Sequence, residues 1–490
     1  MYKTLCKKVP KDSDMPERAW TMECRERVRD GKLYDGLNFA FYTEKSPSGE
    51  YIPLRDRRPS VRYNMVRKVI EESVSILFSE GHFPVVRASD KEVQEKLKKL
   101  LKDRKVNEVM IEAAMTGSVG SSAILMCVIK NRVFFRVMST KYLTPEFSTE
   151  NPEKLVGVVE QYKVKAEALK AAGIKLPNDQ DTEFMWRCEW TPTQEVHYVP
   201  QTLADFRSKK APKIDTSRTV THALGFVPMV WCRNLPGGDG IDGACTFPEE
   251  VVDTQIELEY LLSQGGRGLK YTMDPTLLIK EPAIGTEGEM VKGAGNALVV
   301  SQDGDAKLLE INGQGTEAVL KFVKQLREAA LESLNGRSAD PAKLSAARSA
   351  KAMELLNQPL IWLADKLRIS YGEGAFLQLV RMVCKASHKF ELVFGEDEDQ
   401  ETIYKLSSKS LSLHWPAWYA PTHDERQVKA NTLKTLCDAS IMSQESAIET
   451  SAPDYDIEDL PGEKVKIASD QQRKIELAAQ GVEVQERIAA

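Results

Sequence analysis

The sequence predicts a mixed α+β fold on three observations. Antiparallel-strand patterns follow the first helices, two amphipathic helices bracket a compact insert, and a longer helix begins directly after the second of them. In chain order, residues 1 to 60 are polar and turn-rich, with Lys45-Ser-Pro-Ser-Gly as a loop. Arg55, Arg57, Arg58, Arg62, Arg67 and Lys68 then form a basic entry to a helix whose apolar positions Val66, Val69, Ile70, Val74 and Leu77 line one face, closed by Gly81. Such a cluster reads first as a solvated helix start and second as a phosphate-facing or subunit-facing patch. Residues 91–115 read as one helix with Lys and Glu at i,i+4 spacing. After a turn at Gly117 to Gly120, Ala123 to Ile129 and Val133 to Met138 form a strand pair joined by Lys130-Asn131-Arg132. Tyr142, Thr144 and Pro145 continue extended, Val156 to Val164 is a strand, and Phe184 to Thr191 pairs with Glu195 to Tyr198 as a hairpin.

The helices around the insert carry clear punctuation. Thr246 and Glu249 form a capping box, and Pro248 lies in the first turn, where its missing N–H loses no hydrogen bond. That helix runs to Gln264 and stops at Gly265-Gly266, because glycine readily takes the left-handed conformation that ends helices. In the insert, Pro275 to Lys280 reads as a strand, and Ala297 to Val300 with Lys307 to Ile311 as a hairpin about Asp303-Gly304. The second helix runs from Thr316 through Val319, Leu320, Phe322, Val323, Leu326 and Leu331 to Leu334, then meets the strong stop Asn335-Gly336. Asp340-Pro341 restarts a helix at once, with Asp as N-cap and Pro at the first helical position. Pro359 kinks this long helix by removing a backbone donor, and Gly372 and Gly374 break it again.

Strands at Phe390 to Phe394 and Leu411 to Trp415 follow, then a corner of Trp415, Pro416, Trp418 and Pro421. From Asp424 the chain is helical, with a break at Ser440 to Ser443, a short helix to Thr450, a loop at Ala452-Pro453-Asp454 and a charged helix from Glu463.

At 490 residues the chain exceeds one ordinary core and divides into roughly two to four structural units. With 67 Lys plus Arg against 72 Asp plus Glu, the overall field does not attract nucleic acid. That argues against a protein that grips DNA, though not against a surface that DNA slides past, where tight phosphate contacts would hinder motion. Eight cysteines without a CxxC pair read as reduced thiols. No apolar run approaches the ~20 residues that span a bilayer, and no apolar signal core follows Met1, so a soluble, non-exported chain without membrane contact is expected.

Catalytic signatures are missing. There is no P-loop. Asp239 and Asp242 in Gly237 to Gly243 lack the spaced ligands of a calcium loop, so a flexible turn is preferred. His82, His197, His222, His388, His414 and His423 make no HxxxH or HExxH pattern, which argues against zinc. Asp303 and Asp305 read as turn residues, and Ser118 is not in a Gly-x-Ser-x-Gly elbow. No enzyme activity, cofactor or metal is expected.

The order helix, compact insert, helix, short loop, long helix and helical C-terminal unit resembles the portal proteins of tailed double-stranded DNA bacteriophages, from about Tyr63 to the 460s. Tyr63-Asn64 through Ser75-Ile-Leu-Phe78 is similar to the family's N-terminal "Tyr-Asn…Tyr-Leu-Phe-Gly" helix. Ser349-Ala-Lys-Ala-Met353 stands where many portals carry Ser-Gly-x-Ala-Leu, with Ala350 for Gly and Glu354 where Lys is common. Trp415-Pro416, followed after Pro421 by a helix and Ala439-Ser-Ile-Met-Ser443, resembles the "Trp-x-Pro…Ala-Gly-Ile-Ile-Ser" ending, with Ser440 for Gly.

The resemblance implies a portal fold with wing, stem, clip and helical crown. Residues 1–245 would form the α+β wing, 246–268 the first stem helix and 269–315 the clip. Residues 316–334 would be the second stem helix, 335–348 the tunnel-loop region, 349–430 the long kinked helix with further wing strands, and 431–490 the crown. It further implies a homo-oligomeric ring, usually of twelve subunits, at one capsid vertex. The ring is assembled in the bacterial host cytoplasm and carries DNA in packaging and ejection. Its partners would be the terminase motor, head-tail adaptor proteins, the major capsid or scaffolding protein, and double-stranded DNA passing non-specifically.

By position, Arg337, Ser338, Ala339, Asp340 and Lys343 would face the DNA. Lys321, Lys324 and Arg327 are channel candidates on the second stem helix, with plain solvated positions or intersubunit ion pairs as the competing reading. Lys280, Glu281, Glu287 and Glu289 are candidates for motor docking in the clip. Another ring-forming head-tail adaptor is the alternative, disfavoured by the length of the chain, and an enzyme with an unrecognised site is a more distant one.

Overall fold

The computed structural model describes residues 1–178, 180–222, 224–273, 276–282, 300–309, 314–336, 350–395, 400–419, 421–455, 457 and 460–473. The fold is mixed α+β. It divides into two compact units, residues 1–338 with 359–416, and residues 339–358 with 417–490.

The first unit opens with helices α1 (Tyr2–Cys6) and α2 (Glu17–Arg29), where the sequence reading expected only turns. The α2 stripe is thin: Ala19, Met22, Cys24 and Val28 are buried among arginines and glutamates, so its periodicity is hidden by charge. Two-residue strands β1 (Phe39–Ala40) and β2 (Arg57–Arg58) pair in parallel. The amphipathic helix α3 (Met65–Phe78) forms as expected, with the Asn64 side chain accepting from the Arg67 N–H as its cap. Strand β3 (Val85–Arg87) follows.

Residues 91–115 do not form one helix. Lys105, at φ +48°, separates α4 (Lys91–Asp103) from α5 (Val106–Gly117). The turn lets Leu97 and Leu100 of α4 and Val106, Met110 and Ala113 of α5 enter the same core, which one straight helix could not do.

The strand pattern is largely as read. Strands β4 (Ser121–Ile129) and β5 (Arg132–Ser139) form a hairpin whose turn residues Lys130 and Asn131 both have positive φ, the geometry that matches strand twist. A second sheet is built from β6 (Leu143–Phe147), β7 (Leu155–Lys165), β8 (Glu183–Trp190), β9 (Gln194–His197), β10 (Gln201–Thr202) and β11 (Val220–Thr221), in the order β11-β9-β8-β7-β6 with β10 also on β8. Short helices α6 (Ala166–Ala171) and α7 (Leu203–Arg207) interrupt it. Strand β12 (Met229–Arg233) returns to pair with β4. Leu125, Met138 and Met229 of one sheet share a buried cluster with Leu143, Val158, Cys188 and Trp190 of the other.

Helix α8 (Glu249–Met273), strands β13 (Thr276–Pro282) and β14 (Val300–Leu309), and helix α9 (Gln314–Ser333) come next. Two elements differ from the sequence expectation. First, α8 passes through Gly265-Gly266 without a left-handed residue. A Cβ on Gly265 would lie 3.7 Å from Val319 Cγ1, an ordinary van der Waals contact, so α8 carries the glycine pair as part of a helix packed against α9 and does not end there. Second, Asp303-Gly304 is not a hairpin turn. β14 runs through it antiparallel to β13, and Ser301 to Gly304 stand opposite Glu281 alone in an irregularity of register.

The expected stop after α9 is present. Asn335 takes φ +54° and the Gly336 N–H donates to the Leu331 carbonyl at 2.7 Å. The helix restart at Asp340-Pro341 lies outside the described residues. From residue 350 the long helix is broken into α10 (Ala350–Leu356) and α11 (Gln358–Leu367) at Asn357, just before Pro359, as the missing proline donor requires. Gly372 and Gly374 do not break it again. Arg368–Phe376 is π-helical, and the Leu377 N–H reaches back five residues to the Gly372 carbonyl before α12 (Leu377–Ser387). At Gly372 an added Cβ would stand 2.3 Å from Trp415 Cζ2, so the wider turn forms where an indole fills the place of a side chain. Strands β15 (Leu392–Phe394) and β16 (Glu401–Ile403) pair, and β17 (Ser412–His414) pairs with β3.

In the second unit, α13 (His423–Asp438) begins with a complete capping box between Thr422 and Glu425. Ser440 breaks the chain at φ +57°, and α14 (Gln444–Ser451) starts from a Ser443 cap. A further helical stretch covers 460–473, from which Lys464 contacts Glu445 and Glu449 of α14. Among the described residues, no helix is long and apolar enough to cross a membrane.

Candidate functional site

Three regions of the first unit carry residues that structural packing alone does not explain. The first is the foot of α8. Gln255, Glu259 and Ser263 recur every four residues and so share one helix face. That face receives the backbone leading into α3: the Val66 N–H donates to Gln255 Oε1 at 3.2 Å, the Tyr63 N–H to Glu259 Oε1 at 2.9 Å and the Val61 N–H to Ser263 Oγ at 3.0 Å. The Tyr34 hydroxyl donates to the other Glu259 oxygen. Burial pushes the Glu259 carboxyl up from its ordinary value, against the hydrogen bonds of Tyr34 and Tyr63. The Tyr260 hydroxyl adds a bond to the Arg57 carbonyl at 2.7 Å.

Arg57 itself departs from the expected solvated cluster. It is 1% exposed, donates from Nε and Nη2 to the Ile52 carbonyl at 2.9 and 2.7 Å, and stacks 5.0 Å from the Tyr51 ring centroid. Arg67 and Lys68 pair with Glu71 and Glu72 along α3. The basic run is therefore divided between core and surface and does not form one patch.

The second region is α9 against α8. The two helices pack together antiparallel, with Gly265 beside Val319 near one end and Glu259 and Arg327 both meeting Tyr63 near the other. Lys321, Lys324 and Arg327 are all exposed. Lys321 pairs with Glu317 at 2.9 Å, and the Arg327 guanidinium lies 5.6 Å from the Tyr63 ring centroid. Leu269 at 43%, Leu320 at 54% and Phe322 at 50% exposure are apolar side chains left open on the same helix pair.

Of the clip candidates, Lys280 sits on β13 opposite Asp305, and Glu281 stands opposite the irregularity. Glu287 and Glu289 lie outside the described residues, as do Arg337, Ser338, Ala339, Asp340 and Lys343. The Gly237 to Gly243 segment uses its acids internally: Asp239 Oδ1 accepts from the Ile241 and Asp242 N–H groups, and Asp242 pairs with Arg18. Trp231 Nε1 donates to the Ile241 carbonyl at 2.8 Å, so the expected flexible turn is pinned on both sides.

The third region was not found by motif. Glu160, Cys188 and His197 are register partners on β7, β8 and β9, so they form a lateral row on one sheet face, and Glu195 shares that face two residues before His197. Single donor atoms of Cys188, Glu195 and His197 all lie within 4.8 Å of one another. His197 Nε2 is 3.1 Å from Glu195 Oε1, while its Nδ1 is buried without a hydrogen-bond partner. Burial raises the Glu160 carboxyl and the Cys188 thiol. A scan for adjacent ligand pairs passes over these residues because strand pairing brings them together. The legible signal was Glu195-Val-His197, two polar side chains alternating on one strand beside a cysteine on its hairpin partner.

The chain matches no protein-family model, and no curated protein matches it in sequence.

Proposed function

We propose that this chain is the portal protein of a tailed double-stranded DNA bacteriophage. It would be a structural virion protein whose copies close into a ring at one capsid vertex and conduct DNA during packaging and ejection. The observation that carries this reading is the sequence of elements α8, β13–β14, α9 and the Asn335-Gly336 stop. Two antiparallel helices of 25 and 20 residues, about 37 and 30 Å long at 1.5 Å per residue, both meet Tyr63 and carry a two-stranded sheet at their other end. In the portal reading these are the stem helices and the clip. The clip would dock the terminase motor and later the head-tail adaptor, and the segment after Gly336 would line the constriction.

Three further features support it. Leu269, Leu320 and Phe322 are open apolar side chains on the helix pair, which suits burial against neighbouring stems in a ring. Lys321 and Arg327 are engaged within the subunit and the net charge is −5, which suits a channel through which DNA must slide. Ser440, where the resembled motif carries glycine, takes the left-handed conformation that glycine favours.

Negative-stain imaging of the purified protein tests the reading. Closed rings with a central channel of about 20 to 40 Å, wide enough for a duplex with its grooves, are expected. A stable monomer under assembly conditions, together with turnover of a small substrate, would overturn it in favour of an enzyme.

A further inference from the structure

We propose that Cys188, Glu195 and His197 form a binding site for a divalent transition-metal ion of the zinc class. Cys188 and His197 face each other across β8 and β9, and Glu195 projects from the same face as His197, so three donors converge without any loop having to close. Their ligand atoms already lie within 4.8 Å of one another. The 3.1 Å between His197 Nε2 and Glu195 Oε1 is close to the edge of a tetrahedron of nitrogen and oxygen ligands, roughly 3.3 Å when each is about 2.0–2.1 Å from zinc.

The histidine supplies a second, independent observation. A strand histidine with a purely structural role ties its buried ring nitrogens to carbonyls or carboxylates, since an unmade buried hydrogen bond is costly. His197 has one nitrogen toward Glu195 and the other buried without a partner. Its hydrogen-bonding capacity is therefore not spent on holding the sheet.

The donor set selects the metal. One thiolate, one imidazole and one carboxylate suit zinc and its neighbours, whereas calcium and magnesium take oxygen alone. Cys188 is 1% exposed and anchors the inner side, while the Glu195 and His197 side chains are 32% and 19% exposed and leave the outer side to a water ligand. Binding breaks the Cys188 S–H bond, releases that proton to solvent and forms a metal–sulfur bond, with no change of oxidation state. The bound ion would staple the open end of the β8–β9 hairpin. The site stands whether or not the chain forms a ring.

Cobalt(II) titration of the full-length protein, freed of metal by chelator, is the test. A thiolate-to-cobalt charge-transfer band should grow and saturate at one equivalent, and zinc(II) should bleach it. Cys188→Ser should abolish the band. Glu195→Gln and His197→Gln should weaken cobalt binding by at least about tenfold, the lower end of the roughly 10- to 100-fold range that follows loss of even an outer partner of a ligand. Circular dichroism reports whether each variant folds. If Cys188→Ser does not, the wild-type spectrum and the two partly exposed variants still decide. No band in the wild type, a band that survives Cys188→Ser, or unchanged affinity in both Glu195→Gln and His197→Gln would overturn the site.

Discussion

Arg18 grips Asp242 with two hydrogen bonds, Nε to Oδ2 at 2.5 Å and Nη2 to Oδ1 at 2.7 Å, joining α2 to a glycine-rich segment 224 residues away. The same guanidinium donates to the Thr140 and Leu143 carbonyls and lies over the Trp231 ring. With side chains 19% and 10% exposed, the pair is well shielded from water. Asp242→Ala should therefore strand a nearly buried cation and destabilise the first unit by about 3 kcal/mol, the range for breaking one side of a buried pair. Chemical denaturation of the variant against wild type checks this. A loss no larger than that of an exposed pair would mean that Trp231 and the carbonyls hold Arg18 alone.

Glu259 predicts a pH dependence of defined sign. Burial raises its folded-state pKa above the ordinary 4.5, so between those two values the folded chain binds more proton than the unfolded chain. Stability from this group is complete below 4.5 and declines as pH rises through the raised value. Glu259→Gln keeps an acceptor for the Tyr63 N–H and removes the titration. The thermal midpoint of Glu259→Gln relative to wild type should climb with pH across that window. A difference independent of pH would show that the carboxylate is not the titrating group.

Gly372 should not tolerate a methyl group. Alanine would place its Cβ 2.3 Å from Trp415 Cζ2, and Trp415 is held by the Arg368 guanidinium at 4.7 Å from its ring centroid and by Phe78. Gly372→Ala should destabilise by about 1–3 kcal/mol through overpacking. Gly374→Ala, whose nearest neighbour would be 3.5 Å away, should change the thermal midpoint little. Equal effects at the two glycines would contradict this account.

Phe322 separates folding from assembly. It is half exposed in the subunit, so Phe322→Asp should leave circular dichroism and the thermal midpoint of the subunit near wild type while preventing closed rings. Sedimentation velocity with negative-stain imaging reads both. Wild-type rings from Phe322→Asp would remove this face from the subunit interface.

Legibility followed the range of the physical signal. The Lys130-Asn131 hairpin, the Asn335 stop and the break before Pro359 were readable because each depends on the conformational preference of one or two residues. Helix α2 was missed because charge outnumbers its four buried positions. The division at Lys105 was missed because only the shared core requires it.

The sequence by itself determined the α+β class, most element positions and the order of helix, compact insert and helix on which the portal reading rests. These follow from periodicity and from the backbone limits of proline, glycine and asparagine, which act over a few residues. Only the tertiary structure decided that α8 continues through Gly265 against α9, that Arg57 is buried, that Asp242 belongs to Arg18, and that Cys188, Glu195 and His197 meet. Each of those outcomes depends on partners brought together by packing or strand register. Local preference carries no information about which distant group will arrive.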